Sequence, residues 1–342
     1  MFLHARLNGS VRNGSLSKGL LRWFIISVTT CTALIGSMVT QAQTQFPSKP
    51  VRLIVPAPAG SSLDIVARLL ADKFKDDWSQ PVVVENRPGA GGMIGVDLAA
   101  KAAPDGHTIV IGFPGPTAFA PFLYSKVPYD TVKDLLAVVK TTSQPNVLAV
   151  NAGVPAKTPK ELVAWARTQS KLNYASVGAG SSSHLSMELF KTRGGFDAQH
   201  VPFNGAPPAA LSLAAGDTQL LFAVASGIMP QVKSGKLRIL AVTSKTRFEP
   251  LKEYPTIAES GFPQFEADAW NGLFVAAGTP ATVVQTINQA VNKALGQTDV
   301  NARLFALGMA PGGGSSEAFK GQIARDATFW GAMITRLNVR IE

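Results

Sequence analysis

The sequence predicts an α/β fold divided into two lobes, and three observations support this prediction. The chain has 342 residues, enough for two domains that each bury a core. Apolar runs at Val51–Val55, Pro81–Glu85 and His107–Gly112 alternate with stretches of helical spacing, an order typical of a parallel sheet. A strand, a loop of small residues and a helix start occur together twice, at Val51–Leu70 and Leu172–Thr192.

The same patterns predict the later elements. Thr158 followed by Pro159 marks a helix start, and a long helix begins at Thr279 and Pro280. Further strands are predicted at Leu135–Thr142, Val147–Val150, Leu172–Val177, His200–Phe203, Gln219–Val224, Gly235–Thr243 and Trp270–Ala276. One lobe would span about 46–150 and the other about 151–265, while the C-terminal stretch could return to either.

The first 42 residues have the pattern of a secretion signal. Four basic residues and no acidic one precede or flank the apolar stretch Trp23–Val39, and small residues near Ala42 suit cleavage. A membrane anchor is the alternative, but threonines dilute the apolar stretch. We expect a cleaved signal peptide over residues 1–42 and an exported, periplasmic mature protein.

Cysteine content and charge exclude several classes of function. The only cysteine, Cys31, lies in the predicted signal, so the mature chain would have neither a disulfide nor a thiolate site. The formal net charge is +10, part of which belongs to the signal, and no basic run points to nucleic acid. Zinc and calcium motifs are missing from the sequence, so we expect neither a metal nor a cofactor.

Catalytic and nucleotide-binding motifs are incomplete. His184 follows Ser181–Ser183, but there is no G-x-S-x-G elbow, and neighbours at a helix start do not face each other. We therefore expect these residues to cap and line a loop, and His107 to be structural. Gly89–Gly95 misses the dinucleotide fingerprint by one position.

A site that only binds an anion requires fewer specialised side chains than a catalytic site does. Backbone N–H groups at two facing helix N-termini, together with serine hydroxyls, can hold a carboxylate. Ser61 and Ser62 in one lobe and Ser181–Ser183 in the other meet this requirement. A plain βα connection is the alternative interpretation of each loop.

Several stretches together resemble the Bug family, the extracytoplasmic solute receptors of tripartite tricarboxylate transporters. The resemblance covers nearly the whole mature chain in order, and ENRPGAGG with PDG is its most specific part. The stretches are VRLIVPAPAGSSLDIVARLLA, VVVENRPGAGGMIG, APDGHTIVIG, YASVGAGSSSHLSMELF, VPFNGAPPAALSLAAGD, KSGKLRILAVTS and AWNGLFVAAGTP.

The resemblance implies a two-lobed, type II-like (Venus-flytrap) periplasmic binding protein that closes on a small carboxylate. It places residues 266–342 with residues 46–150 in lobe 1 and residues 151–265 in lobe 2. A loop from each lobe would hold the ligand, and the segment Ala223–Ser226 would complete the pocket. Carried over by position, the implied ligand-binding residues are Pro58, Ala59, Gly60, Ser61, Ser62, Asp64, Gly178, Gly180, Ser181, Ser182, His184, Asn204, Gly205, Ala223 and Ala225.

The first loop departs from the family pattern. Relatives usually carry an aromatic residue and two glycines there, whereas this chain has Ala57 and then Gly60 followed by Ser61. We therefore expect Ser61 to help determine which acid fits. Phe222–Val224 lacks the acidic residue of members that recognise amino acids, which argues against a ligand bearing an ammonium group.

These observations predict a monomeric, non-enzymatic receptor that captures a small organic carboxylate and hands it to the membrane subunits of a tripartite transporter. Two alternatives remain open. A sensing accessory protein would present the liganded pocket to a periplasmic signalling domain. An exported serine hydrolase would instead use Ser181–Ser183 as its source of a nucleophile.

Overall fold

The computed structural model describes Gly9 and residues 46–341, so the predicted signal peptide lies outside the described residues except at Gly9. The described strands are β1 (Val51–Val55), β2 (Val82–Asn86), β3 (Thr108–Gly112), β4 (Leu135–Asn151), β5 (Asn173–Ser176), β6 (Gln199–Pro202), β7 (Leu220–Val224), β8 (Leu237–Val242), β9 (Asp268–Ala276) and β10 (Ala310–Pro311).

Helices alternate with most of these strands. The described α-helices are α1 (Ser62–Asp77), α2 (Met93–Ala100), α3 (Ala120–Leu123), α4 (Thr131–Asp134), α5 (Pro159–Ala166), α6 (Ser182–Gly194), α7 (Ala206–Ala215), α8 (Ala225–Lys233), α9 (Ala281–Leu295), α10 (Thr298–Ala306) and α11 (Ser316–Leu337). Within the described chain, none of these helices combines the length and the apolar character needed to cross a bilayer.

The strands form one mixed sheet in the order β2-β1-β3-β9-β4-β7-β5-β6, with β8 and β10 also paired to β4. β1 runs parallel to β2 and β3, and β5 runs parallel to β6 and β7. β4 is antiparallel to its neighbours β7, β8, β9 and β10. The predicted α/β class is therefore confirmed, with two parallel groups joined through antiparallel β4.

β4 is one strand of 17 residues, whereas the sequence suggested two short strands on either side of Pro145. Pro145 is opposite Asp268 at the end of the pairing with β9, and Asn146 is opposite Val224 at the start of the pairing with β7. Proline lacks the N–H that a ladder needs. It is tolerated here because it stands where the strand exchanges partners.

The two parallel groups have separate apolar cores. Strands β1 and β3 pack with α1 and α9, and strands β5 and β7 pack with α6. The long helix α11 contacts residues of both groups of strands: Phe319 packs against Trp270 in a further apolar cluster beside β3, while Trp330 and Ile334 pack into the core of β5 and β7. Phe119 joins that second core as well. The lobe boundaries expected from sequence stay a prediction.

We predict that Gly272→Ala destabilises the fold by about 1–3 kcal/mol, the usual cost of overpacking a core. A Cβ at Gly272 would overlap the ring of Phe319, which is 2% exposed and held between Trp270 and Phe274. Urea unfolding at equilibrium measures the change.

Gly321→Ala provides the control because Gly321 lies inside α11, where a Cβ would approach only the flexible end of Arg325. Alanine in a helix interior is favoured over glycine by about 0.5–1 kcal/mol, so this variant should be more stable than the wild type. Equal effects of the two variants would contradict the packing of Phe319 on Gly272.

Candidate functional site

A cavity lies against β4 between the two parallel groups of strands. Its volume, measured as the space that the centre of a water molecule can occupy, is about 70 Å³. Its walls come from the carboxyl ends of all six parallel strands, namely the segments that follow β1, β2, β3, β5 and β6 and the last residue of β7, Val224. Ligands of open α/β sheets bind at such ends.

Five α-helices begin at this cavity. The capping residues of α1, α2, α6, α7 and α8 all line it, namely Ser61, Gly92, Ser181, Gly205 and Val224. The first turn of a helix has N–H groups without helical partners and the positive end of the helix dipole. No Asp, Glu, Lys, Arg or His is among the described residues of the lining. The cavity therefore presents uncharged hydrogen-bond donors.

The loop after β1 is held by the carboxylate of Asp64. Its Oδ2 accepts a hydrogen bond from the Gly60 N–H at 3.0 Å, and Arg68 and Asn86 donate to Oδ1 at 3.0 Å each. Burial alone would raise the pKa of Asp64, but the hydrogen bonds from Arg68, Gly60 and Asn86 outweigh it and lower that pKa. Gly60 has φ of 79°, a conformation that favours glycine. Asp64 thus shapes the loop instead of facing the cavity.

The loop after β5 repeats this geometry with a histidine. Gly180, with φ of 74°, donates its N–H to Nδ1 of His184 at 3.2 Å, four residues along as in the first loop. Ser181 caps α6 by accepting from the His184 N–H at 3.3 Å, just as Ser61 caps α1. Each loop therefore uses a side chain of the first helical turn as an internal acceptor.

The two capping serines differ in whether the hydroxyl donates a hydrogen bond to another protein group. Ser181 Oγ donates to the carbonyl oxygen of Gly178 at 2.6 Å. Ser61 Oγ accepts from the Asp64 N–H at 3.3 Å, and within the described chain it donates to no protein group. The hydroxyl of Ser61 is consequently free to donate to a ligand in the cavity, while that of Ser181 is already engaged.

The floor of the cavity is polar and comes from β4 and β9. Gln144 and Asn146 project from the same face of β4, since side chains alternate along a strand. Asn146 Nδ2 donates to Ser182 Oγ at 3.2 Å and so positions that serine. The neighbouring Trp270 donates its indole N–H to Asp326 at 2.7 Å, which fixes the ring along the cavity wall.

Loops from the two groups of strands touch across the cavity mouth. A Cβ on Gly205, after β6, would lie 2.7 Å from Cδ of Pro58, after β1. The hydroxyl of Tyr124 donates to the carbonyl oxygen of Ala179 at 3.1 Å, beside Gly91. The small residues at these positions permit the close approach of the backbones.

The structure brings part of the sequence-predicted site to the cavity. The predicted residues that line it are Ser61, Ser62, Gly178, Ser181, Ser182, Asn204 and Gly205. The predicted residues that do not line it are Pro58, Ala59, Gly60, Asp64, Gly180, His184, Ala223 and Ala225.

Packing explains why these residues lie elsewhere. The side chains of Asp64 and His184 accept hydrogen bonds from their own loops. Ala59 and Gly60 are exposed to solvent. Ala223 is fully buried in the sheet, opposite Val147. Sequence reasoning missed Gln144, Asn146, Trp270 and Asn271, all of which line the cavity. The available signal was the run of polar residues from Lys140 to Gln144, followed by Asn146, inside an otherwise apolar strand.

A pair of stacked histidines lies behind the second loop. The rings of His184 and His200 are parallel, with centroids 3.9 Å apart, and the nearly parallel ring of Tyr174 lies 4.9 Å from His200 and 6.3 Å from His184. Burial, reinforced by the charge of Lys191, lowers the pKa of His184 to about 4. Burial and then the neighbouring His184 lower the pKa of His200 to about 3. Both rings are neutral near pH 7.

The one serine-to-histidine side-chain hydrogen bond among residues 46–341 joins Ser176 Oγ and His200 Nε2, at 2.7 Å. Ser176 is fully buried and does not line the cavity, so no substrate could reach it. Ser181–Ser183 instead contact backbone groups or Asn146. The residues that the structure describes contain no group of three or more His, Cys, Asp or Glu able to hold a metal ion.

Comparison with known proteins adds independent findings. The family model described as "Tripartite tricarboxylate transporter family receptor" matches residues 66–339. A UPF0065 protein from the tcbD-tcbE intergenic region of Pseudomonas sp. (strain P51) is 38% identical, over 86% of this chain and 88% of its own length. Protein BugT of Bordetella pertussis is 32% identical, over 93% of this chain and 98% of its own.

Two solved structures with named ligands are close in fold. R. palustris Rpa4515 with adipate has a TM-score of 0.84 and 32% identity, covering 86% of this chain and 100% of its own. MatC (Rpa3494) from Rhodopseudomonas palustris with bound malate has a TM-score of 0.80 and 31% identity, covering 84% of this chain and 100% of its own. The resemblance inferred from sequence is thereby confirmed.

We predict that the free energy of unfolding falls as the pH drops from about 6.5 towards 4. In that range the unfolded chain protonates histidines that the fold keeps neutral, since the folded pKa values of His184 and His200 are about 4 and about 3. The free energy that the two neutral histidines contribute to stability is therefore fully present above pH 6.5 and is lost as the pH falls.

Urea unfolding between pH 7 and 5 measures this slope. His200→Gln should reduce it, because the amide can still pair with Ser176 but does not titrate, and His184 would account for the slope that remains. An unchanged slope in that variant would show that His200 does not contribute to the acid sensitivity.

Proposed function

The chain belongs to the tripartite tricarboxylate transporter family of receptors, which are not enzymes, and we propose that it captures a small organic carboxylate in the cavity beside β4. The observation that carries this proposal is the meeting of five helix N-termini in a cavity whose described lining has no charged side chain. Such termini bind carboxylates and phosphates through backbone N–H groups.

The proposed binding groups are donors that the fold leaves available. The N–H groups of Ser62 and Leu63 open α1, and those of Ser182 and Ser183 open α6, so none of the four has a partner within its helix. The hydroxyl of Ser61 adds a donor from the first loop. A carboxylate with its oxygens between the two loops would therefore satisfy donors from both groups of strands.

The bound ligands of two relatives support the carboxylate class. Adipate is present in the Rpa4515 structure and malate in the MatC structure, and both are dicarboxylates. Neither ligand is assigned to this chain. The distinct first loop, where Ser61 follows Gly60, is proposed to adjust which acid fits.

The setting of the receptor is also a proposal. We place the mature protein in the periplasm after cleavage of residues 1–42, as a monomer with lobes at 46–150 plus 266–342 and at 151–265. The family description supports delivery of the ligand to the membrane subunits of a tripartite transporter. Co-purification of those subunits with the liganded receptor, and not with the empty one, tests the delivery step.

We predict that at least one carboxylate raises the melting temperature by several degrees, since a ligand at 100 times its Kd adds about 2.7 kcal/mol to the free energy of unfolding. Malate, succinate, adipate, citrate and benzoate form the panel. Succinamide is the matched neutral control for succinate. Stabilisation by neutral compounds, with none by any acid, would refute the proposed anion site.

We predict that Ser61→Ala weakens carboxylate binding about tenfold or more, because a hydrogen bond to a charged group contributes about 1.5–3 kcal/mol. Ser181→Ala is the matched control: it removes an equivalent helix cap but a hydroxyl whose hydrogen already bonds Gly178. Both variants should lose about 1 kcal/mol of unfolding free energy. Equal losses of affinity, measured by calorimetric titration, would contradict a direct role for Ser61.

A further inference from the structure

To the cavity floor, Gln144 contributes a buried acceptor without a partner among the described residues. Its side chain is 2% exposed and lines the cavity, yet its Oε1 accepts no hydrogen bond from any described residue. A buried carbonyl oxygen without a donor costs free energy, because it has lost the hydrogen bonds that water would supply. The oxygen therefore requires a donor that the described chain does not provide.

The neighbours of Gln144 on the same strand face do have partners. Thr142 Oγ1 accepts from Asn271 Nδ2 at 3.1 Å. Asn146 Nδ2 donates to Ser182 Oγ at 3.2 Å and to the carbonyl oxygen of Ala267 at 3.3 Å. Neither of these groups is placed as a donor to Gln144. The cavity is the adjoining space from which a donor can arrive.

The chemistry of the cavity restricts that donor. A ligand ammonium would need an acidic partner when buried, and no Asp or Glu is found in the described lining. A hydroxyl needs one acceptor and carries no charge. A carboxamide accepts through its oxygen and donates through its nitrogen, so Gln144 suits a hydroxyl with a neighbouring carboxylate.

We propose that Gln144 is a specificity-determining residue that selects hydroxycarboxylates over the same acids without the hydroxyl group. The proposal rests on the proposed carboxylate function: the helix N-termini hold the carboxylate, and Gln144 Oε1 accepts the ligand hydroxyl. An acid without the hydroxyl would leave the buried oxygen unpaired, as happens when a site built for a hydroxyl meets its deoxy analogue.

Paired ligands test this selection. Calorimetric titration compares malate with succinate, citrate with tricarballylate, and 3-hydroxybutyrate with butyrate, the members of each pair differing by one hydroxyl. In each pair of which a member binds, we expect the wild type to favour the hydroxylated acid about tenfold or more. Aspartate, which replaces the malate hydroxyl by an ammonium group, should bind more weakly than malate.

Substitutions at position 144 test whether Gln144 causes the preference for hydroxylated acids. Gln144→Met and Gln144→Leu replace the carboxamide by an apolar side chain of similar size, and either one should reduce the preference to less than about threefold. Gln285→Met is the matched control, since Gln285 is exposed on α9 and far from the lining, and it should retain the wild-type preference.

The outcomes separate this inference from the function on which it rests. Binding of carboxylates with no hydroxyl preference in the wild type, or an undiminished preference in a folded Gln144 variant, overturns the role of Gln144 alone. Tighter binding of aspartate than of malate overturns the choice of a hydroxyl as donor. If no carboxylate binds at all, the proposed function fails and this inference fails with it.

Discussion

The sharing of β4 between two groups of parallel strands is the constraint on which the rest of the structure depends. Up to Pro145 the strand pairs with β9, and from Asn146 onwards it pairs with β7 and β8. This exchange brings the carboxyl ends of both groups to one place, where their loops meet. It also puts Gln144 and Asn146 at the base of the space between those loops.

The loops themselves are built to present the backbone. In each of them a glycine with positive φ donates its N–H to the fourth residue along, and a serine caps the following helix. These internal bonds use the carboxylate of Asp64 and the imidazole of His184 to define loop shape. The N–H groups of the next residues remain available, so the site can bind an anion without the desolvation of a cationic side chain.

The sequence indicated the strands, the helix starts and both serine loops, because each depends on neighbouring residues and on short-range capping chemistry. It split β4 at Pro145, since local pattern cannot show that the pairing partner changes there. Gln144 and Trp270 escaped notice because their roles require strands distant in the chain to lie together. Asp64 and His184 were assigned to the ligand because sequence position does not reveal which way a side chain turns.

The uncharged lining has a thermodynamic consequence for capture itself. With no titratable group among the described lining residues, an already ionised acid can enter without any proton passing between protein and solvent. The heat of association should then be the same in buffers of low and high ionisation enthalpy. Association of this kind would not depend on the pH of the surroundings while both the acid and the protein keep their charge.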